Sequence, residues 1–332
     1  MRILTVGAIQ GGTIPIGRAL FNAFKEIGLD AEFLDYSDVQ EEFLKIVAGN
    51  DRERSYQFHL NTKIRLLQTV SDFKPDVIFG IAQAPLNDIS ILSQFKQSGI
   101  TLCYWFTEDY RIFEYWNTIA PYFDHFFTIQ QEPFWQELNQ VGCTNYHYLP
   151  MAFDTSLEWH SEEEATIPVS FVGAPYPNRV HFFTHINDNG FHIYGEGWDK
   201  YANPKVSIGN RRISENEARS IYRRSLININ FHSSPFSREF GGGDFVNPRT
   251  FELAGMGAFQ LADMRKLMSL HFDPAEEVIA LSRWEDMVWA IEYFLEHETE
   301  RNDLATKAQA RVLKEHTYRH RAEEIMSVLH LK

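Results

Sequence analysis

The residues best suited to chemistry lie between positions 238 and 261, where the chain reads REFGGGDFVNPRTFELAGMGAFQL. Glycines here, Gly243 among them, tolerate positive φ and let a backbone come close to a ligand. Pro248 suits the first turn of a helix that starts near Asn247. The unpaired N–H groups at such a helix start, together with Arg249, attract an anion, so a phosphate or diphosphate is the expected guest. Glu252 lies about one turn further in and is placed to accept hydrogen bonds from ribose hydroxyls, as acidic residues do in dinucleotide folds. Two plainer readings compete: a helix start with incidental glycines and, for Arg249, a surface ion pair.

A second constellation is YWFTEDY, residues 104–110, which puts Glu108 and Asp109 just beyond a buried strand. Either carboxylate is a candidate general base; Asp109 is preferred, with a helix N-cap for the following YRIFEYW as its competing role. Gly11 and Gly12, in the loop QGGTIPIG, read either as a close backbone approach to a ligand or as a tight strand-to-helix turn. His232 follows a strand end and reads as a cleft residue or a plain loop histidine. The series Trp105, Phe106, Tyr110, Phe113, Tyr115 and Trp116 reads as core packing or as a stacking surface for a sugar. His181 with His185, and His316 with His320, have a spacing that can bind zinc on a helix, but no third ligand accompanies either pair, so no metal is expected. Walker A, GxGxxG, HExxH and GxSxG patterns are absent from the chain.

Positioning these residues falls to alternating elements. Runs at 2–7, 30–35, 76–81, 100–106, 124–129 and 144–148 are predicted strands, with helices such as 15–28 and 86–98 between them. That alternation argues for a parallel sheet covered on both faces. Residues 149–166 carry a proline, three consecutive glutamates and no sustained period, and form a predicted linker. The alternation restarts with VSFVGAPYPNRVHFFTHI, which repeats the strand, loop and helix plan of ILTVGAIQGGTIPIGRALFNAF. Further strands are expected at 191–195, 226–231, 258–261 and 276–280, and helices at 283–297, 299–314 and 317–329. The expected fold class is α/β, with two Rossmann-like doubly wound domains facing across a cleft. The first spans 1–150, the second 151–315, and a C-terminal helix over 316–332 can cross back onto the first. Ligands of open α/β sheets sit beyond the carboxyl ends of the strands.

Composition narrows the function. A chain of 332 residues with 44% hydrophobic content has ample core for about two domains. Acidic residues outnumber basic ones, 45 against 31, and the net charge of −14 repels phosphate backbones, so nucleic acid is not an expected partner. Cys103 and Cys143 form no CxxC motif and suggest reduced thiols. The uncharged stretch after Arg2 reads as a buried strand and its loop, and no apolar run approaches the roughly 18–20 residues of a transmembrane helix. A cytoplasmic protein is expected.

Four segments, FVGAPYPNR (171–179), YGEGW (194–198), NPRTFELAGMGAFQLAD (247–263) and EHTYRHR (315–321), resemble the glycosyltransferase-like family typified by spore maturation protein B (CgeB). The resemblance covers 168–325 in the right order, and the first half more loosely at YWFTEDYRIF. It implies the GT-B fold and transfer of a sugar from a nucleotide diphosphate donor, held by the second domain, to an acceptor held by the first. It also implies that Arg179 and Arg249 face the diphosphate, and that YGEGW, with Tyr194 and Gly195, lies near the base or sugar. Gly173, in the first of the four segments, joins this donor group. Related retaining enzymes carry two glutamates separated by seven residues; Glu252 takes the later position, for ribose, and Asp244 the earlier one, with a shorter side chain. Transfer passes through an oxocarbenium-like state with charge growing on the leaving diphosphate. Arginines and a helix start can stabilise that charge without a metal or other cofactor, and no DxD triplet occurs in the chain. UDP-sugars are the expected donors; the acceptor is a glycan, protein or small molecule. A non-catalytic sugar-nucleotide-binding or coat-assembly protein, and a nucleotide-sugar 2-epimerase, are the alternatives.

Overall fold

The computed structural model describes residues 1–9, 13–36, 43, 45–46, 48–157, 164–185, 190–201 and 207–329. The chain divides into two compact units, Met1–Pro150 together with Tyr318–Lys332, and Met151–Thr317.

The first unit alternates strand and helix: β1 (Arg2–Val6), α1 (Ile14–Glu26), β2 (Asp30–Leu34), α2 (Asp51–Phe73), β3 (Val77–Ile81), α3 (Ile89–Gln97), β4 (Thr101–Phe106), α4 (Trp116–Ile119), β5 (His125–Thr128), α5 (Phe134–Gln140) and β6 (Tyr146–Tyr148). Its six strands are all parallel, in the order β2-β1-β3-β4-β5-β6. β3 (VIFGI) is buried along its whole length and β4 (TLCYWF) nearly so, as strands covered by helices on both faces must be. Asp88 accepts from the N–H groups of Ser90 and Ile91, which starts α3 at Ile89, three residues later than its periodicity predicts. α2 escapes a reading of periodicity because it buries only Thr62 and Leu66 fully over 23 residues.

The second unit contains β7 (Ile167–Val172), α6 (Pro177–Phe183), β8 (Phe191–Tyr194), β9 (Ser207–Gly209), α7 (Glu215–Arg224), β10 (Ser225–Asn230), α8 (Pro248–Gly255), β11 (Gln260–Asp263), β12 (Ile279–Leu281), α9 (Trp284–Glu296) and α10 (Glu298–Glu315). Its sheet is again parallel, in the order β12-β11-β10-β7-β8-β9. Sequence periodicity does not announce the three-residue β9, nor α7, whose only fully buried side chains are Ile221 and Tyr222. The start of the predicted linker is not loose: Met151, Ala152 and Phe153 are buried, and Phe153 forms a parallel bridge with Thr317.

The last helix, α11 (Tyr318–Val328), belongs to the first unit and packs along α1. Arg321 is buried and donates from Nε to the carbonyl of Pro150 at 2.8 Å, and Arg319 pairs with Glu26 of α1 at 3.4 Å. The Tyr318 ring meets Trp105 of β4 edge-on at 6.4 Å.

Candidate functional site

In the second unit, the carboxyl ends of β7, β10 and β11 gather most of the singled-out residues. Asn247 caps α8, its side-chain oxygen accepting from the Thr250 N–H at 3.0 Å. Its Nδ2 donates to Asn230 Oδ1 at 2.9 Å, and Asn230 Nδ2 in turn donates to Thr250 Oγ1 and Gln260 Oε1, both at 2.8 Å. Gln260 Nε2 completes the set on the Thr250 carbonyl at 2.9 Å. This buried amide ladder pins the first turn of α8 to β10 and β11, and satisfied polar networks of this kind fix one geometry. Sequence reading missed Asn230, Gln260 and Thr250. The signal of Asn230 and Gln260 was faint, polar side chains within strands, and Thr250 is an ordinary residue in the first turn of α8.

The same cap corrects one expectation. With Pro248 carrying no N–H and the Thr250 N–H taken by Asn247, the helix start offers a ligand fewer free donors than its sequence suggests.

His232 is corrected too. It is fully buried, and both ring nitrogens are taken by groups of the protein. Its backbone N–H and Nδ1 both bond Asp263 Oδ1, at 2.8 and 2.7 Å, while Nε2 accepts the Asn247 N–H at 3.0 Å. An accepting Nε2 assigns the proton to Nδ1, so the imidazole is neutral. Burial, with help from the Arg265 cation and against the pull of Asp263, pushes its pKa down to about 4. A histidine protonated less readily folded than unfolded contributes stability above its ordinary value of 6.5, lost as pH falls from there towards 4. Denaturation midpoints measured across that window are expected to drop with pH, and to drop less for His232→Gln.

Arg249 and Glu252 form an ion pair one turn apart on α8, Nε to Oε2 at 3.0 Å, with Glu252 nearly half exposed. Arg249 also donates from Nη1 to the Val172 carbonyl at 3.1 Å and lies over the Tyr222 ring at 4.6 Å. Its guanidinium thereby orients the Glu252 carboxylate. Arg179 is more committed: Nε and Nη2 bond the Phe231 carbonyl at 2.9 and 2.7 Å, and Nη1 the Ala174 carbonyl at 3.2 Å. Burial and the nearby Arg249 lower its pKa to about 10, which leaves it a cation at neutral pH.

The glycines split by cause. Gly173 and Gly195 (φ +148°) approach one another so closely that a Cβ on Gly195 would collide with the Gly173 carbonyl, which also accepts from Trp198 Nε1 at 2.7 Å. Tyr194, half-buried at the end of β8, donates no such constraint but bonds the Gly173 N–H through its carbonyl at 2.9 Å. Gly243 packs against the Arg265 guanidinium, and Asp244 beside it is buried.

In the first unit, Glu108 and Asp109 separate in role. Asp109 is held by Arg111, whose Nη2 meets Oδ2 at 2.7 Å and whose Nε meets Oδ1 at 3.0 Å. Its side chain also accepts from the Arg111 N–H, so it closes a turn; the first helix beyond it, α4, starts only at Trp116, and the helix N-cap expectation is corrected. Glu108 accepts from the Tyr115 hydroxyl at 2.6 Å and from the Gln83 side-chain amide. Gln83 has φ +64°, a conformation few non-glycine residues adopt, and its N–H donates to Tyr115 Oη at 3.0 Å. Burial raises the Glu108 pKa above the ordinary 4.5, opposed by these hydrogen bonds. Trp105, Phe106 and Trp116 are buried in the core, with Tyr110, Phe113 and Tyr115 packed against it. Gly11 and Gly12 lie outside the described residues.

Neither histidine pair gathers a third ligand: His316 is buried against Phe251 and Phe272, and among the described residues no three His, Cys, Asp or Glu side chains are placed to hold a metal ion. No helix among the described residues is long and apolar enough to cross a membrane.

Two parallel α/β sheets with these residues at their carboxyl edges have the GT-B fold, and residues 179–327 match the family model described as glycosyl transferase-like. The chain is similar to the spore protein CgeB of Bacillus subtilis (strain 168), 26% identical over 232 residues that cover 64% of this chain and 70% of that protein. Among solved structures, sucrose-phosphate synthase from Thermosynechococcus elongatus is similar at a TM-score of 0.67 and 11% identity, covering 99% of this chain and 98% of the other. HepE of Anabaena, solved in complex with UDP-glucose, is similar at a TM-score of 0.63 and 11% identity, covering 99% of each chain.

Proposed function

We propose that the protein is a glycosyltransferase that moves a sugar from a nucleotide diphosphate sugar, with UDP as the favoured nucleotide, to an acceptor hydroxyl, without a metal ion. The observation that carries this reading is the half-exposed Glu252 carboxylate, held by Arg249 one turn inside the capped start of α8, at the carboxyl edge of the second sheet. A carboxylate so placed accepts from two adjacent ribose hydroxyls while the helix start faces the phosphates. The glycosyl transferase-like match over 179–327 supports it, as does the fold shared with a protein solved with UDP-glucose. On the acceptor side, Glu108 is the group suited to take a proton, because its partners are neutral and burial raises its pKa, whereas Asp109 is paired with the Arg111 cation.

Incubating the purified protein with a panel of nucleotide sugars tests this directly. Slow release of nucleoside diphosphate is the expected outcome; a changed sugar with no release would point to an epimerase, and binding without turnover to a non-catalytic receptor. Glu252→Ala is expected to weaken UDP binding about 10- to 100-fold by calorimetry, the loss of a charged hydrogen-bonding partner, with an unaltered fold because Glu252 is partly exposed. Equal affinity would remove Glu252 from the donor site.

A further inference from the structure

Among the described residues of the second unit, Arg265 is a cation that its own fold leaves largely unanswered. Arg265 follows the carboxyl end of β11, and its side chain has no exposed surface. Nη2 bonds Asp263 Oδ2 at 2.5 Å, and Nε and Nη1 meet no hydrogen-bond acceptor among the described residues. Three of its five N–H bonds are therefore without a partner, in a place where burial makes that expensive. Asp263 does not balance the account alone, since its other oxygen serves His232.

The unanswered side of the guanidinium lies against the turn that precedes α8. Gly241 and Gly242 both have positive φ, +73° and +76°, and a Cβ on Gly243 would occupy the place of Arg265 Nη1. Two backbone hydrogen bonds hold the turn on the segment carrying Arg265: Gly242 N–H to the Met264 carbonyl and Lys266 N–H to the Gly243 carbonyl, both 2.9 Å. Only glycine lets the guanidinium come so near this backbone. The arginines expected to face a phosphate are differently disposed: Arg179 is turned onto two carbonyls, and Arg249 onto Glu252 and Val172. The capped helix start, moreover, has few free N–H groups.

We propose that Arg265 is the cation that binds the diphosphate of the nucleotide, its Nε and Nη1 donating to phosphate oxygens once the Gly241–Gly243 turn that covers them at the start of α8 moves aside. The proposal rests on the nucleotide-sugar reading above and names the group that holds the leaving phosphates. A guanidinium suits the task, because its fork matches phosphate geometry and its anchoring on Asp263 sets its orientation before the ligand arrives.

The test uses full-length protein and three probes: inorganic pyrophosphate, UDP and uridine. Arg265→Lys keeps a positive charge beside Asp263 and removes the fork. The variant is expected to bind pyrophosphate and UDP about 10- to 100-fold more weakly while its affinity for uridine is unchanged. Unchanged affinities for the two phosphate compounds, or a uridine affinity that falls by the same factor, would overturn the role of Arg265. Should the variant fail to fold, crystals of the unaltered protein soaked in pyrophosphate decide the matter. An anion oxygen about 3 Å from Nε or Nη1 supports the proposal, and an anion bound elsewhere overturns it. If the unaltered protein binds neither pyrophosphate nor UDP, the nucleotide-sugar reading itself falls; if it binds both and the lysine variant matches it, only Arg265 is displaced.

Discussion

Glu108→Gln is expected to lower kcat about 100-fold with the KM for the nucleotide sugar nearly unchanged, the range found when a positioned general base is lost. The substitution preserves size, leaves an amide oxygen to accept from Tyr115 and keeps the second hydrogen bond if the Gln83 amide turns its oxygen towards the new NH2, while the capacity to take a proton is removed. Burial raises this carboxyl above the ordinary 4.5, which brings it closer to neutral pH and makes it a better base. Since the base works ionised, activity is expected to rise with pH through that raised value, and the acidic limb of the profile should vanish in the glutamine variant. An intact limb with unreduced turnover would assign the proton to another group. Asp109→Asn, by contrast, should act mainly by loosening the turn that Arg111 closes, and leave the limb in place.

Asp263→Ala is expected to destabilise the second unit by about 3–5 kcal/mol, the consequence of stranding a buried cation without its counter-ion. Arg265 would lose its one acceptor and His232 the oxygen that fixes its tautomer. For a unit of this size that corresponds to a fall in melting temperature of roughly 10 °C, measurable by calorimetry. Asp263 is buried, which alone would raise its pKa, but Arg265 and His232 hold it well below the ordinary 3.8. A depressed carboxyl contributes stability above its unfolded value and loses that contribution as pH falls through the folded one, so the contribution vanishes only in strong acid. The difference in stability between the two proteins should therefore persist from neutral pH down to about pH 4. A difference under about 1 kcal/mol at neutral pH would mean that the ion pair contributes little.

Much of the architecture was legible because apolar runs such as VIFGI and TLCYWF carry the signature of strands buried on both sides, and because helices between them have clear apolar stripes. The Asn247-Pro248 start of α8 and the spacing of Arg249 and Glu252 were equally readable, since a helix places residues three apart on one face. What escaped was long-range. His232 and Asp263 are 31 residues apart, and nothing local reveals that one turns inwards to meet the other. Asn230 and Gln260 look like interruptions in apolar strands until the ladder to Thr250 is seen. Gln83 occupies a left-handed backbone conformation that its residue type does not advertise, and its pairing with Glu108 spans 25 residues. The competing cap role of Asp109 fails for a local reason: an aspartate ahead of an aromatic segment caps helices well, but here it has a nearer partner in Arg111.

The docking of α11 on α1 has a consequence for biosynthesis. A ribosome delivers Met151–Thr317 in one stretch, so the second unit has all of its strands before synthesis ends. The earlier-made sheet, in contrast, waits for Tyr318–Val328 to arrive and cover α1. Released chains that stop just short of Tyr318 should hence show the later-encoded sheet protected from protease while α1 is still open to attack, an inversion of the usual order in which amino-terminal domains finish first.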